Sequence, residues 1–360
     1  MSHIYVDHAA TTPIHPQVIE AMLPFLQTYY GNPSSIHGVG RETRAALDQA
    51  RKRLGGILQV DPAQIVFTSG GTEADNMAIL GVALANKDKG KHIITSSIEH
   101  HAVLHACRYL EEIGYEITYL PVNQYGEIKL SELEKAVRED TILVSIMYGN
   151  NEVGTLQPIR EISLLLKERN IYFHTDAVQA FGIEDLNLSE IPVDLLSVSS
   201  HKINGPKGIG LLYVAKHVKI SPLLYGGSQE RNRRAGTENI AGIVGFAEAA
   251  ELAYRTMLER RKQYTSYREL LLAAFDRAEI QYKLNGHPNQ YLPHVLNVSF
   301  MEMKADAMLM NLDLEGIAAA SGSACSAGSS PATSRPRRCS RPTRRTPSVT
   351  SARRRRPTCW

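Results

Sequence analysis

The sequence predicts an α/β fold, a mainly parallel sheet with helices on both sides. Three observations lead there. Between residues 60 and about 215, strand-like and helix-like segments alternate. The strand-like segments are β-branched and mostly apolar, as strands covered on both faces must be. Alternation of this kind requires crossover connections, which make neighbouring strands parallel.

Seven segments read as strands: Ile65–Thr68, His92–Ser96, Glu116–Leu120, Thr141–Met147, Ile171–Thr175, Asp194–Ser199 and Gly210–Val214. Helices are expected between them at Thr72–Asn86, Ala102–Ile113, Ser131–Arg138 and Ile159–Arg169. After Gly236 a long helical stretch runs to about Ile280, with Ala247, Ala250, Leu252, Met257, Leu270 and Phe275 at helical spacing. It leads towards a smaller unit in which His294–Phe300 reads as a strand and Lys304–Leu312 as a helix. Ligands of such sheets bind at the C-terminal ends of the strands, and the motifs fall there.

Composition narrows the class. Of 360 residues, 43% are hydrophobic and 21% charged, as in a soluble globular protein. No run of about 18 apolar residues suggests a membrane helix, and MSHIYVDHAATTP lacks the layout of a signal peptide. Four scattered cysteines, Cys107, Cys325, Cys339 and Cys359, point to a reducing cytoplasm and not to a disulfide framework. The net charge of +3 arises in one place. Residues 329–360 hold ten Arg and no acid; without them 30 Lys and Arg face 37 Asp and Glu, so the body carries −7. A mildly acidic body does not call for nucleic acid. The 329–360 stretch, with five Pro and no Leu, Ile or Phe, is expected to be disordered.

Five motifs carry chemistry. In FTSGGTEADN a strand ends at Thr68, two glycines turn the chain, and a helix begins near Thr72. A helix N-terminus offers free N–H groups and partial positive charge, which suit a phosphate; Thr72 as a plain N-cap is the competing reading. In SVSSHKINGPKGIG, His201 and Lys202 follow an apolar strand. A lysine partly removed from water there favours its neutral form and can condense with an aldehyde, although a solvated loop lysine is the commoner case, and Lys207 fits it better. In YFHTDAVQAFG an apolar strand ends at Asp176, with Gln179 three residues on. A buried carboxylate is costly unless it is paired with a cation or well hydrogen-bonded, and a protonated pyridine nitrogen would be such a partner; a helix N-cap is the alternative. In SSIEHHAVLHAC, His100 could stack on an aromatic cofactor and move protons, while His101 and His105, four apart, have the spacing of a metal pair but not an H-E-x-x-H motif. No metal is expected. In SGSACSAGS only Cys325 is not small, so a thiol on a pliable loop could approach a site and withdraw; an incidental cysteine in a linker is the other reading. Cys107, on an apparent helix, reads as packing.

Together, and in this order, these motifs resemble the class V aminotransferase-fold family, and within it the NifS/IscS-type cysteine desulfurases. The resemblance covers about residues 4–329 and extends to YVDHAATTP, GNPSSIHGVGR, NNEVGTLQPI and RRAGTENIAGI. It implies a fold-type-I pyridoxal-phosphate (PLP) transferase: a large domain at 12–258, and a smaller, incomplete α+β domain from 1–11 and 259–328. Lys202 would hold the cofactor as a Schiff base, and His100 would stack on the ring. Asp176 would face the pyridine nitrogen and Gln179 the phenolic oxygen. Gly71, Thr72, Ser199 and His201 would hold the phosphate. Thr237 would reach the phosphate of a second subunit, which implies a homodimer. Asn151 would lie near the substrate carboxylate, and Cys325 would be the nucleophile. The implied reaction converts L-cysteine to L-alanine, with sulfur passing as a persulfide to an iron–sulfur scaffold or tRNA-thiolating protein. A selenocysteine lyase or another class V enzyme is the near alternative; a nucleic-acid-associated relay using the basic tail is the distant one.

The resemblance stops abruptly at Ser329–Ser330. The helix start and the substrate-binding arginine that the family carries beyond SGSACSAGS are missing, and the composition reads as translation in a wrong frame. Weak or absent turnover with intact cofactor binding is the expectation, because the cofactor ligands precede residue 240.

Overall fold

The computed structural model describes residues 4–322 apart from residue 302. Cys325 and the 329–360 stretch lie outside these residues. The elements, in chain order, are β1 (Ile4–Tyr5), α1 (Pro16–Gln27), α2 (Gly38–Leu58), β2 (Ile65–Thr68), α3 (Gly71–Ala85), β3 (His92–Ser96), α4 (His101–Glu112), β4 (Glu116–Leu120), α5 (Leu130–Ala136), β5 (Thr141–Ser145), α6 (Ile159–Glu168), β6 (Tyr172–Asp176), β7 (Leu195–Ser199), β8 (Gly210–Val214), α7 (Ile240–Arg255), α8 (Met257–Arg277), β9 (Tyr282–Leu284), β10 (Val298–Phe300), α9 (Ala305–Leu314) and β11 (Ile317–Ala318).

Seven strands form one sheet in the order β2-β8-β7-β6-β5-β3-β4. The pairs β3–β4, β3–β5, β5–β6 and β6–β7 are parallel. β8 runs against both neighbours, β7 and β2. A short loop from β7 into β8 suffices for that reversal, so no crossover helix is needed there. β2, β3, β5 and β7 are buried along their whole length, which explains their unbroken apolar runs. α3 lies across β5, β6, β7 and β8, with α4 beside it, while α1 and α2 both pack on α7. Phe173, Phe181 and Phe246 are the largest side chains fully buried in the continuous core.

The carboxyl ends of β2, β6 and β7 deliver Thr68, Asp176 and Ser199 to one edge of the sheet, where a short 3-10 turn, Ser200–Lys202, follows β7. The segment before α1 is strapped to this turn. Thr12 donates its N–H and its hydroxyl to the His201 carbonyl (3.0 and 2.7 Å). Asn204 N–H donates to Thr12 Oγ1 (2.8 Å), and His15 N–H to the Asn204 carbonyl (2.9 Å).

Some boundaries differ from the sequence expectation. The long helical stretch is broken at Thr256, whose hydroxyl donates to the Leu252 carbonyl (2.8 Å) and competes with the helical ladder. The expected strand His294–Phe300 contracts to β10, because Pro293 and a turn from Leu292 to Val295 precede it. β10 pairs antiparallel with β9, and β1 pairs parallel with β11.

Candidate active site

The phosphate end of the candidate site is a pocket of about 370 Å³ lined by Thr11, Ser69 to Glu73, Ser199, His201, Lys207 and Gly208. It opens at the N-terminus of α3, where Gly70 is the N-cap and no side chain caps the helix. Its first N–H groups therefore have the character of an anion site. The backbone must come close here: a Cβ on Gly71 would lie 2.8 Å from Val178 Cγ2 and 3.6 Å from Ser199 Cβ. Glu73, an acid in the lining of this anion pocket, is engaged by other partners. It accepts from Ser69 N–H (2.6 Å) and from Arg234 (2.8 and 3.2 Å). Burial works to raise its carboxyl, but these bonds outweigh burial and hold it below its ordinary range.

His201 sits 3.1 Å (Nδ1) from Thr11 Oγ1. Burial, together with Lys202 and Lys207, pushes its imidazole down to about 4, so it is neutral at pH 7 and offers one N–H. Ser199, 3% exposed, supplies a hydroxyl at the end of β7.

The ring end is built around Lys202, Asp176 and His100. Lys202 Nζ donates to the carbonyls of Ala9 and Ala10 (2.9 Å to the latter). Gln179 Nε2 donates to the same Ala9 carbonyl (2.9 Å), so that carbonyl gathers two of the expected cofactor ligands. Asp176 is 6% exposed at the end of β6, and its Oδ1 accepts from Val178 N–H (2.9 Å). Burial pushes its carboxyl up, against the pull of Val178 N–H, His100 and Lys202. Burial pushes His100 down, with Asp176 opposing and Lys202, His101 and His105 adding to the fall. The three side chains thus act on one another's charge. His100 is the N-cap of α4, with Nδ1 accepting from Ala102 N–H (3.1 Å), which leaves Nε2 to carry the proton of the neutral ring.

The donor set fits PLP. A hydroxyl- and N–H-lined anion pocket lies at the end of β7, one turn from an amine. A buried carboxyl on the next strand stands to gain from a ring cation.

Thr237 and Asn151 are not drawn in. Thr237 is exposed and does not line its own chain's pocket, although Arg234 in the same loop anchors that loop to α3. Asn151 is half-buried, and the neighbouring Asn150 makes the local bonds, through Nδ2 to the Ile98 carbonyl and Oδ1 from Glu152 and Val153 N–H. Cys325 lies outside the described residues. Cys107 is buried, its thiol pushed up to about 12 by burial and by Glu99 and Glu111, in keeping with packing. Among the described residues no group of three His, Cys, Asp or Glu is arranged to hold a metal.

The structure adds groups to which the sequence reading gave no role in the site. Lys207 lines the phosphate pocket, as does Thr11. His294 Nε2 lies 3.3 Å from Gln179 Oε1. Glu99, one residue before His100, is a buried acid pushed up to about 8 by burial. Its sequence signal was an acid next to the end of an apolar strand.

The family model for aminotransferase class V matches residues 4–339. The chain belongs to the class V aminotransferase family, in its cysteine desulfurase branch. An IscS-named protein of Bacillus subtilis (strain 168) is 54% identical over 329 residues, 91% of this chain and 87% of the relative. A cysteine desulfurase IscS of Methanosarcina thermophila is 51% identical over 326 residues, 91% of this chain and 80% of the relative. Among solved structures, a NifS-like protein superposes with a TM-score of 0.85 at 40% identity, covering 88% of this chain and 87% of that one. A structure described as SspA in complex with cysteine gives 0.80 at 36% identity, covering 90% and 91%. Enzymes of this family depend on PLP.

Proposed function

We infer that the chain is a PLP-dependent cysteine desulfurase that takes sulfur from L-cysteine and leaves alanine. The observation that carries the reading is the convergence of Lys202 and Gln179 on the Ala9 carbonyl, with the buried Asp176 carboxyl at the end of the neighbouring strand, beside the N-terminal pocket of α3. PLP supplies an aldehyde that captures amines and a protonated ring that draws electrons from the substrate Cα.

Around it, the residues have separable tasks. Ser199, His201, Gly71 and Thr72 would hold the phosphate, with Lys207 as a nearby cation. Lys202 would bond the aldehyde carbon and, once freed, take the α-proton. Asp176 would accept the ring N–H and so keep the ring positive, and Gln179 would face its oxygen. His100 Nε2–H would stack and return a proton. The Cys325 thiolate would attack the substrate sulfur: an S–S bond forms, the C–S bond breaks, and Cβ takes a proton. Asn151 would meet the substrate carboxylate.

Thr237 would serve a second subunit, which makes the active form a homodimer. Exposed apolar side chains on and after α1 support this, with Ile19 45%, Leu26 62%, Tyr30 78% and Ile36 91% exposed. The division into a large domain, 12–258, and a smaller one from 1–11 and 259–328 is supported by the pairing of β1 with β11. The sulfur acceptor would be an iron–sulfur scaffold or a tRNA-thiolating enzyme. A cytoplasmic setting agrees with the sparse cysteines. Among the described residues no helix is long and apolar enough to cross a membrane.

The test is incubation with PLP and L-cysteine, then thiol alkylation and mass spectrometry. One extra sulfur on Cys325, with alanine formed in weak turnover at most, is expected, because the family's substrate-binding arginine is missing after SGSACSAGS. Alanine without a Cys325 persulfide, or equal turnover of selenocysteine by Cys325→Ser, would point to a lyase instead.

A further inference from the structure

Behind the ring end lies a second layer of buried polar groups that the reaction above does not use. Asp75 projects from α3, where its neighbours Ala74, Met77, Ala78 and Ile79 are apolar and buried. It meets the sheet at β6 and β7. His174 and Asp176, two apart on β6, share one face. In register, Ser197 lies opposite Asp176 and Ser145 opposite His174. Asp75 Oδ1 is 3.6 Å from His174 Nε2, which lies 2.9 Å from Ser197 Oγ; His174 Nδ1 lies 2.8 Å from Ser145 Oγ. Asp75 is 1% exposed, and His174, Ser145 and Ser197 are fully buried.

The ring of His174 is satisfied by two hydroxyls in either tautomer and needs no second proton. Burial drives it down to about 3. It is therefore no cation for Asp75. The other titratable groups that act on Asp75 are Asp176 and Glu99, and both are acids. Asp75 Oδ1 has no hydrogen-bond partner. A hydrogen bond from Ser197 favours the charged form of Asp75, but burial is the larger cause and, with Asp176 and Glu99 alongside, lifts the carboxyl well above its ordinary range. Asp176 differs: Val178 N–H, His100 and Lys202 all favour its charged form.

We propose that Asp75 is held as the neutral acid, and that this leaves Asp176 as the carboxylate of the buried group. Asp75 is then a positioning residue: its un-ionised state lets the charge settle on the side chain that faces the cofactor. The part concerning Asp176 rests on the function proposed above; the state of Asp75 does not.

The experiment uses the full chain labelled with ¹³C at the aspartate side-chain carboxyl, with and without PLP. A neutral aspartic acid signal at pH 7 is expected in both forms, absent from Asp75→Asn. Asp75→Ser assigns the signal if the first variant is unstable. PLP affinity is then followed from neutral to acid pH. Its acid limb is expected at the same pH in Asp75→Asn as in the unsubstituted protein, because Asn stands in for the neutral acid. Absence of a neutral aspartate assignable to Asp75 overturns the proposal. So does an acid limb moved down by about one pH unit or more in Asp75→Asn, the effect of removing a real negative charge beside Asp176. If the chain takes up no PLP at all, the reading of Asp176 fails, while the signal in the cofactor-free protein still decides Asp75.

Discussion

Glu99→Gln tests whether the acid beside His100 is neutral. Glu99 is 5% exposed; its Oε1 accepts from Ser96 Oγ (2.6 Å) and Met147 N–H (3.0 Å), while its buried Oε2 has no partner. Burial is the main cause that lifts its carboxyl from 4.5 to about 8; Asp176 adds to the rise, and the bonds from Ser96 and Met147 oppose it. The folded-state value thus exceeds the unfolded one. Its stabilising contribution is full below pH 4.5 and fades as pH rises through about 8, because the unfolded chain releases the proton that the folded chain keeps. Within that window each pH unit is worth about 1.4 kcal/mol. Glutamine keeps the Oε1 bonds and cannot titrate. Relative to the variant, the unsubstituted protein should therefore lose about 2–3 kcal/mol between pH 5.5 and 7.5. Urea unfolding at each pH, read at constant m, measures this. A difference that does not change with pH refutes the neutral-acid reasoning, and a difference of opposite sign means a charged, paired Glu99.

Other perturbations address the frame and the pocket. Arg51 and Glu230 form a buried two-pronged ion pair (2.7 and 2.6 Å), and Glu230 also accepts from Phe67 N–H (2.9 Å) on β2. Arg51→Met strands that carboxylate and should cost about 3–5 kcal/mol in urea unfolding, while Arg51→Met with Glu230→Gln should cost less. Phe246→Ala, at a fully buried core position, should cost about 3–5 kcal/mol by the same assay. Ser199→Ala removes one hydroxyl from the phosphate pocket and should weaken PLP binding about tenfold without altering the fold, by fluorescence titration. Sedimentation should find a dimer, and a monomer at micromolar concentration would contradict the role of Thr237.

The large sheet was legible because most of its strands are buried along their length, the edge strand β4 being the exception. Ile65–Thr68, His92–Ser96, Glu116–Leu120 and Gly210–Val214 could be read to the residue, and the first three end where Ser69, Ser97 and Pro121 begin a turn or a polar stretch. Its pairing was less legible: the reversal of β8 depends on a loop geometry that periodicity does not encode. α1 and α2 gave no clear signal, since Pro24 lies inside the first and four glycines inside the second. The two-residue strands β1 and β11 are too short for alternation to appear. Within the site, Lys202, Asp176 and His100 were readable from apolar strands ending at a reactive side chain. Asp75 was not: it sits among Thr72, Glu73 and Asn76 in the first turns of α3, so periodicity gives no hint that it alone faces the core. Nor was the strap from Thr12 to Asn204, which joins residues about 190 positions apart through the Thr12 hydroxyl and backbone groups.

The central claim is that the Lys202 amine carries the cofactor. Borohydride reduction of the purified protein after PLP loading, followed by peptide mass mapping, tests it most directly. A pyridoxyl-phosphate adduct on Lys202, absent from Lys202→Ala, is the predicted result. An adduct on Lys207 or another lysine, or no adduct, would contradict it.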